Sequence, residues 1–280
     1  MELWEILLAE EKLKTADAVV IGAGSGLSAA AGYEYAGERF QKNFADFIEK
    51  YGMTDMYSAG FYPFPTKEEK WAYWSRHIYY NRYDLETPVL YQDIKKLVEG
   101  KEYFVLTTNV DHLFYTAGFG EEHIFATQGD YGQFQCQRAC HDKLYDNEEQ
   151  VREMIRTQRG LKIPSSLIPR CPVCGGDMEV HLRCDEHFVE DEQWYEAHRR
   201  YEEFIRRNKE KRILFLELGV GMNTPGIIKY PFWQMTTAYE NAFYICINKG
   251  QAWAPEGIRE KALCLNCDIT DAVEELVDNR

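Results

Sequence analysis

The sequence predicts an α/β fold built on a largely parallel sheet. Short apolar runs rich in β-branched and aromatic residues alternate with helical patterns, which is typical of parallel sheets covered by helices. The first run enters a glycine-rich loop, AVVIGAGSGLSAAAGY, at residues 18–33. Such junctions of strand and loop occur where α/β sheets bind nucleotides. The runs expected to be buried strands are AVVIGA, EYFVLTT, HIFAT, RILFLEL and AFYICIN.

Three helices are expected from apolar periodicity and capping signals. In TKEEKWAYWSRHIYY, Thr66 and Glu69 have the spacing of a capping box, and the aromatic stripe that follows is interpreted as core packing. Residues 190–209 carry an apolar stripe among many charges. A last helix is expected after CDIT, with Thr270 or Asp271 as its N-cap.

Composition limits the class of protein. With 280 residues, 45% of them hydrophobic, the chain is long enough to bury a full core. A formal net charge of −14 argues against nucleic-acid binding, because an acidic surface repels the phosphate backbone. No signal peptide and no apolar run of membrane-spanning length is recognised. We therefore expect a cytoplasmic protein without membrane contacts, whose eight cysteines are thiols or metal ligands.

The glycine-rich loop has the residues that a phosphate-binding turn needs. Gly24 and Gly26, with Gly22 before them, lack the Cβ atoms that would keep the backbone away from a pyrophosphate. The small residues from Ser28 onward can open a helix whose first amides face the phosphates. An ordinary turn between strand and helix explains the same pattern, and the acidic residue that a dehydrogenase carries about 20 positions later is missing. Both interpretations of the loop stay open.

Two cysteine pairs indicate a metal site. Cys136 and Cys140 are followed, after a long insert, by Cys171 and Cys174 in CPVCGG. Two such pairs can close a tetrahedral zinc site, and four sulfur ligands leave no position for a catalytic water. We therefore expect a structural zinc ion, with unliganded thiols as the alternative.

Two polar residues directly follow a predicted strand. In TTNVDHLF, Asn109 and Asp111 come after the apolar run YFVL. Ligands of open α/β sheets collect at the carboxyl ends of the strands. Both side chains are therefore candidates for ligand binding, although both residue types also commonly cap a following helix.

Taken in order, these motifs resemble the sirtuin family of NAD-dependent enzymes. GSGLSAAAG from Gly24 to Gly32 is similar to the family's GAGISxSAG, and TTNVDHL resembles TQNIDGL. QG at Gln128 stands where the family has HG, and the cysteine pairs follow in the family's order. GVGM from Gly219 resembles GTSL, and CIN ending at Asn248 resembles the strand that ends in an adenosine-binding asparagine.

The resemblance implies a Rossmann-like parallel sheet as the large domain and a smaller inserted zinc-binding and helical module. We expect residues 1–135 and 185–280 to form the NAD-binding domain, with residues 36–95 as a helical insertion or cofactor loop. The zinc-binding module is expected at residues 136–184. NAD as co-substrate and zinc as a structural ion are the implied cofactors.

The resemblance also implies the roles of site residues. Asn109 is expected to position the nicotinamide ribose or the attacking group, Asp111 to bind the carboxamide, and Gln128 to orient ribose hydroxyls. NAD is expected to contact these three catalytic residues and also Gly24, Ser25, Gly26, Ser28, Arg39, Gly219, Gly221 and Asn248. Arg39 and Phe40 replace the family's cofactor-loop Arg and Phe if a short insertion is allowed, because GYEYAGERF stands where the family has GIPDFR.

The most informative departure is Gln128, which replaces the histidine of the family's deacylase chemistry. In the family that histidine takes the proton of a ribose hydroxyl, whereas a glutamine amide has no usable basicity near neutral pH. Loss of a general base costs roughly 10²–10⁴ in rate. Cleavage of NAD and capture of ribose C1′ by a nucleophile need no proton acceptor at that position.

The combination of QGD with GSGLSAAAGY is similar to the macrodomain-linked sirtuins of microbes. This resemblance implies that the protein ADP-ribosylates another protein. It implies a lipoyl-carrier protein resembling the glycine-cleavage H protein as the acceptor, and a macrodomain hydrolase that reverses the modification. Two alternatives stay open. His112 or His123 could supply another base for lysine deacylation, or the fold could bind NAD or ADP-ribose without catalysis.

Overall fold

The computed structural model describes residues 2–222 and 224–279. Its helices are α1 (Leu3–Thr15), α2 (Ser25–Ala30), α3 (Gly37–Tyr51), α4 (Met56–Gly60), α5 (Lys67–Ile78), α6 (Val89–Leu97), α7 (Leu113–Thr116), α8 (Glu148–Thr157), α9 (Glu192–Asn208), α10 (Lys229–Ala238) and α11 (Ile269–Asp278). Its strands are β1 (Ala18–Ala23), β2 (Glu102–Thr107), β3 (Ile124–Ala126), β4 (Gly129–Cys136), β5 (Tyr145–Asp146), β6 (Met178–Leu182), β7 (Ile213–Leu218), β8 (Phe243–Ile247) and β9 (Ala262–Leu265). No helix in this part of the chain combines the length and the apolar character needed to cross a membrane.

The described residues contain a six-stranded parallel sheet in the order β3-β2-β1-β7-β8-β9. Ala18 of β1 pairs with Glu102 of β2 on one side and with Ile213 of β7 on the other. Strands β1, β2 and β3 follow one another toward one edge of the sheet, and β7, β8 and β9 follow one another from β1 toward the other edge. The α/β and Rossmann-like predictions are therefore confirmed, as are the five predicted strands. A ligand crevice is expected at the carboxyl ends of β1 and β7, where the strand order reverses.

Apolar cores cover both faces of this sheet. Side chains alternate along each strand, so Val19 and Ile21 enter the core beneath α1, α6 and α11, whereas Ala18 and Val20 enter the core beneath α9 and α10. Burial on both faces explains why the strands are largely apolar rather than alternating in polarity.

A second sheet, in the order β5-β4-β6, is antiparallel and packs with α3, α4, α5 and α8. Their shared core is rich in aromatic residues, and Trp71 and Ile78 of the predicted aromatic stripe are buried in it. This unit contains the four cysteines of the expected zinc site. Since β4 begins at Gly129 and pairs with β6, the second sheet starts before residue 136. The division of the chain at residues 136 and 184 remains a prediction.

The predicted N-cap Thr66 is confirmed, and the helix expected at residues 190–209 is observed as α9. The Thr66 hydroxyl accepts a hydrogen bond from the Glu69 N–H at 3.2 Å, and α9 begins after Asp191. The prediction for the last helix was wrong by two or three residues. Asp268, rather than Thr270 or Asp271, is the N-cap of α11, because its carboxylate accepts from the Thr270 N–H at 2.9 Å.

Candidate active site

The predicted site residues gather at the carboxyl edge of the parallel sheet. Gly24 follows β1, Asn109 follows β2 and Gln128 follows β3. Gly219 follows β7 and Asn248 follows β8. Because parallel strands end at one edge, the fold brings together loops that are far apart in the sequence.

The loops after β1 and β7 are in backbone contact, and this contact explains their glycines. Ser25 begins α2, and the next N–H, that of Gly26, donates to the Gly219 carbonyl oxygen at 3.0 Å. A Cβ atom would lie 2.8 Å from that oxygen on Gly24 and 2.7 Å from it on Gly26. Gly219 has a φ of +64°, and its Cβ would lie 2.4 Å from the Leu27 nitrogen. A side chain at any of these three glycines would force the loops apart.

Helix α10 packs closely behind the loop that follows β7. Gly22 lies within β1, where a Cβ would be 2.5 Å from Cγ2 of Ile228, so this glycine makes room for helix packing and is not part of the loop. Lys229, at the start of α10, donates to the Glu217 carboxylate of β7, and both side chains are fully buried. The Tyr244 hydroxyl donates to the other Glu217 oxygen at 2.6 Å. This network holds α10 against the strand that leads into the site.

Four polar side chains form a buried hydrogen-bonded cluster beside the glycine loop. Asn109 Nδ2 donates to the Gly24 carbonyl oxygen at 3.0 Å and to Ser28 Oγ at 3.1 Å. The Ser28 hydroxyl donates to Asp111 Oδ2 at 2.5 Å. The Tyr91 hydroxyl lies 3.1 Å from Ser28 Oγ. Because the Ser28 proton is committed to the carboxylate, Tyr91 is the donor to Ser28.

The Asp111 carboxylate accepts hydrogen bonds from two neutral groups, the Ser28 hydroxyl and the Leu113 N–H. Burial raises the pKa of its carboxyl group, and the hydrogen bonds from Ser28 and from the Leu113 N–H offset only part of this rise. Leu113 is the first residue of α7, so Asp111 accepts one N–H at the start of that helix, although the N-cap residue itself is His112. Asn109 instead turns its side chain to the glycine loop.

Gln128 lies at the same edge of the sheet but outside the buried cluster. Its backbone oxygen accepts from the Arg183 N–H at 3.1 Å, and its side-chain Nε2 donates to Thr127 Oγ1 at 3.4 Å. Among the described residues, no hydrogen bond joins Gln128 to Asn109 or Asp111. The side-chain oxygen of Gln128 is therefore available to accept a hydrogen bond from a ligand.

A narrow cavity adjoins the cluster and is lined, among others, by Asn109, Asp111, His112, Gly129 and Asp130. Gly129 has a φ of +100°, and a Cβ there would lie 2.0 Å from the backbone oxygen of the opposing strand β6. The glycine after Gln128 is therefore required by strand pairing.

The two histidines considered as substitute bases lie in different places. His112 lines the cavity, and its Nδ1 lies 2.6 Å from Asp130 Oδ2. His123 precedes β3, with its Nε2 3.4 Å from Glu122 Oε1, and so lies at the amino edge of the sheet. Gln128 follows β3 at the carboxyl edge. This placement removes His123 from the candidates for a proton acceptor.

The remaining predicted cofactor contacts lie on two sides of this centre. Asn248 Nδ2 donates to the Val220 carbonyl oxygen at 3.0 Å, next to Gly221. Arg39, on α3, donates to Asn81 Oδ1 at 2.8 Å and to the Tyr80 carbonyl oxygen. It also lies over the Tyr33 ring, 5.3 Å from its centroid, at the end of the glycine-rich segment. In the described residues Arg39 makes no hydrogen bond to the buried cluster.

The four cysteines predicted to bind zinc converge on one point. Their sulfur atoms lie within 4.8 Å of one another. The Cys136 and Cys174 sulfurs are 3.7 Å apart, as are those of Cys140 and Cys171. Zinc–sulfur bonds of about 2.3 Å in a tetrahedron require sulfur separations of about 3.8 Å. The cluster therefore fits a structural zinc ion, which would cross-link β4 to the knuckle before β6.

Two residues of the site were not recognised from the sequence. Tyr91 looks like any aromatic residue on the apolar face of a helix, and only the packing of α6 against the glycine loop places its hydroxyl on Ser28. Asp130, in QGD, joins His112, Arg82 and a backbone N–H. Its direct succession to Gln128 and Gly129 was the one available signal.

Named relatives share most of the chain, although no family model matches it. A protein ADP-ribosyltransferase of Staphylococcus aureus is 40% identical over 284 residues, which span 98% of this chain and 90% of that protein. A probable bifunctional ADP-ribose hydrolase/ADP-ribosyltransferase of Fusarium oxysporum f. sp. cubense is 35% identical over 239 residues. That match spans 80% of this chain and 39% of the longer relative.

Solved Sir2 structures share the fold. Sir2Tm bound to a propionylated peptide is 19% identical, with a TM-score of 0.63, and the match covers 100% of this chain and 98% of that one. A Sir2 protein with a p53 peptide and NAD⁺ is 19% identical, with a TM-score of 0.60 and the same coverage. The sequence relationship and the common fold agree with the motif resemblance. This chain therefore belongs to the sirtuin-like ADP-ribosyltransferases.

Proposed function

We propose that this protein transfers ADP-ribose from NAD to a protein acceptor and releases nicotinamide. The bond between nicotinamide and ribose C1′ breaks, and a nucleophile of the acceptor forms the new bond at C1′. The observation that carries this proposal is an amide, Gln128, at the same edge of the sheet as the hydrogen-bonded cluster that contains Asn109 and Asp111. An amide can orient a hydroxyl but cannot remove its proton, so efficient deacylation is not expected.

We assign the following roles to the cleft residues. Asn109 positions the nicotinamide ribose or the attacking group, and its hydrogen bond to the Gly24 oxygen supports this by locking its amide. Asp111 binds the carboxamide as an acceptor, and Gln128 orients the ribose hydroxyls. The remaining contacts to phosphates, ribose and adenosine are assigned to Gly24, Ser25, Gly26, Ser28, Arg39, Gly219, Gly221 and Asn248.

The acceptor is proposed to be a protein, and the neighbours give indirect support. The Staphylococcus relative is named a protein ADP-ribosyltransferase, and Sir2 neighbours are described with bound peptides. By resemblance to macrodomain-linked sirtuins, we propose a lipoyl-carrier protein similar to the glycine-cleavage H protein. The same resemblance suggests a macrodomain hydrolase as functional partner. The name of the Fusarium relative, which joins hydrolase and transferase, supports such a pairing.

We further propose that residues 1–135 and 185–280 bind NAD and that residues 136–184 form the zinc-binding module. Zinc holds this module together without taking part in the chemistry, because four sulfur ligands leave no open position. None of the eight cysteines, all of which the structure describes, forms a disulfide, which favours a cytoplasmic setting.

Product analysis tests the proposal. The protein is incubated with NAD labelled in the adenine ring, an acyl-lysine peptide and a lipoylated carrier protein. Label on the carrier supports transfer, whereas acyl-ADP-ribose as the main product would establish deacylation. Unchanged NAD would favour a non-catalytic binding module.

Two variants assign the role of residue 128. Gln128→Ala is expected to lower labelling of the carrier by roughly 10-fold or more, because the ribose hydroxyls lose their partner. Gln92→Ala, at an exposed position of α6, is the matched control and should match the parent. If Gln128→Ala labels the carrier at the parental rate while the parent deacylates lysine well, the role given to Gln128 is wrong.

A further inference from the structure

His112 and Asp130 connect the two loops that carry the proposed catalytic residues. His112 directly follows Asp111 in the turn after β2, and Asp130 lies two residues after Gln128 in β4. The His112 Nδ1 is 2.6 Å from Asp130 Oδ2. Next to this contact, the Tyr131 N–H donates to the Val110 carbonyl oxygen at 3.0 Å. Two adjacent hydrogen bonds therefore align the turn after β2 with the strand that follows Gln128.

The direction of the His112 hydrogen bond follows from the surroundings of Asp130. Oδ1 of Asp130 accepts from Arg82 Nε at 2.8 Å and from the Gly132 N–H at 2.6 Å. Burial raises the pKa of this carboxyl group, but the hydrogen bond from His112 and the charge of Arg82 outweigh burial, so the pKa lies below its usual value. Asp130 is therefore a carboxylate that only accepts, and His112 Nδ1 must carry the donated hydrogen.

His112 has an unfavourable backbone conformation, which its side-chain contacts stabilise. His112 has a φ of +70° and a ψ of 10°, the left-handed region that favours glycine. A residue with a side chain persists there when the surrounding contacts hold it. The contacts here are the hydrogen bond to Asp130 and a stacked ring, Tyr115, whose centroid is 4.1 Å away.

Arg82 extends the connection to the helical segment. It lies in the π-helical turn Tyr79–Tyr83 that follows α5. The two residues before it, Tyr80 and Asn81, are those that hold Arg39. The carboxylate of Asp130 is thus the common acceptor for the turn after β2, the strand after Gln128 and the segment that anchors the proposed cofactor-loop arginine.

We propose that His112 is a positioning residue, which through Nδ1 and Asp130 holds the turn carrying Asn109 and Asp111 in register with Gln128. The inference rests on the proposed function, because it concerns the alignment of those three residues. His112 acts through other residues, and its Nε2 is not required for the chemistry.

Three substitutions separate positioning from proton transfer and from folding. His112→Gly removes the imidazole, with its hydrogen bond to Asp130 and its stacking on Tyr115, and also relieves the left-handed backbone. These changes have opposite effects on stability, so thermal denaturation checks that the variant is folded at the assay temperature. Its rate of nicotinamide release is expected to fall roughly 10- to 100-fold, with the NAD KM changed by less than about threefold. His112→Asn places an N–H donor at the same branch as Nδ1 and tolerates this backbone, so it should recover most of the parental rate. His112→Gln places a donor or acceptor at the distance of Nε2 from the backbone, and it should not recover the parental rate of nicotinamide release.

Gln92→Ala is the control, because Gln92 is exposed on α6 and is outside the cavity lining and the cysteine cluster. It should leave nicotinamide release unchanged. Parental rates in His112→Gly would overturn the inference. Recovery by His112→Gln and not by His112→Asn would overturn it in favour of a role for Nε2.

The two proposals fail in distinguishable ways. A parent that releases nicotinamide without labelling any protein contradicts the proposed transfer, and the His112 variants are then judged on nicotinamide release alone. A parent that leaves NAD intact contradicts both proposals.

Discussion

Asp111 and Asp130 line the same cavity, yet the pKa values of their carboxyl groups are shifted in opposite directions. Burial dominates at Asp111, whose donors are a neutral hydroxyl and a backbone N–H. At Asp130 the hydrogen bond from His112 and the guanidinium of Arg82 outweigh burial. Partner charge, rather than depth, therefore sets the difference between two neighbouring carboxyl groups.

This difference predicts opposite effects on stability as the pH changes. The raised pKa of Asp111 makes its ionised form unfavourable to folding, so Asp111→Asn should gain in melting temperature relative to the parent as the pH rises above about 4. The lowered pKa of Asp130 makes its ionised form favourable, a contribution lost as the pH falls below about 4. Asp130→Asn should therefore fall further behind the parent as the pH rises. Thermal denaturation at constant ionic strength measures both differences, and slopes of the same sign would contradict the prediction.

Removal of the Tyr91 hydroxyl should weaken the buried cluster of Ser28, Asn109 and Asp111 by deleting one of its hydrogen bonds. Tyr91→Phe deletes the donor to Ser28 Oγ, whose other partners are Asn109 and Asp111. One such hydrogen bond contributes about 1 kcal/mol, and we expect about a 5- to 10-fold loss of nicotinamide release with a small loss of stability. Tyr201→Phe is the control, because the described residues include no hydrogen-bond partner for the Tyr201 hydroxyl. An equal loss in both variants would show that the effect is not specific to Ser28.

The contact between the loops after β1 and β7 predicts strong sensitivity at Gly219. Gly219→Ala places a methyl group 2.4 Å from the Leu27 nitrogen at a φ of +64°. We expect a decrease in the free energy of unfolding of about 1–3 kcal/mol and weaker NAD binding. Gly257→Ala is the control, since a Cβ there has no atom within 4 Å. Urea denaturation and NAD titration measure the two effects, and normal NAD affinity in Gly219→Ala would contradict a role for this contact in the binding site.

The cysteine cluster predicts one zinc ion per chain. Cys171→Ser should reduce zinc content to near zero and lower the melting temperature by several degrees, because Cys171 is buried in the core that α5 and β4 share. Cys184→Ser removes an exposed thiol outside the cluster and should match the parent. Metal analysis and thermal denaturation, with and without a chelator, measure these effects. A chain that contains no zinc and is insensitive to chelation would show that the thiols are unliganded.

Much of the large sheet could be predicted from the sequence. Its strands are buried on both faces, so they appear as continuous apolar runs, and all five predicted runs form strands. The second sheet was not predicted, because β5 has two residues and β4, GDYGQFQC, mixes glycine and polar residues with apolar ones. The N-cap of α11 was misplaced because CDIT offers several residue types that can cap a helix, and only the backbone conformation selects Asp268.

Some residues of the candidate site could likewise be predicted from the sequence, whereas others could not. Asn109, Asp111 and Gln128 were recognisable because each follows an apolar strand within a motif, and the cysteines because sulfur ligands need short spacings. Gln128 by itself indicates that no base stands at that position, since side-chain basicity is a property of the residue type.

Hydrogen-bond partners could not be predicted in this way. Tyr91 is 63 residues from Ser28 along the chain, and Arg82 is 48 residues from Asp130. Periodicity and spacing describe local structure, whereas contacts over such separations depend on how helices pack on the sheet. The sequence thus determined the chemical groups and the edge of the sheet at which they lie. Tertiary structure decided which carboxyl group meets a charge, which glycine touches backbone and which histidine reaches the cavity.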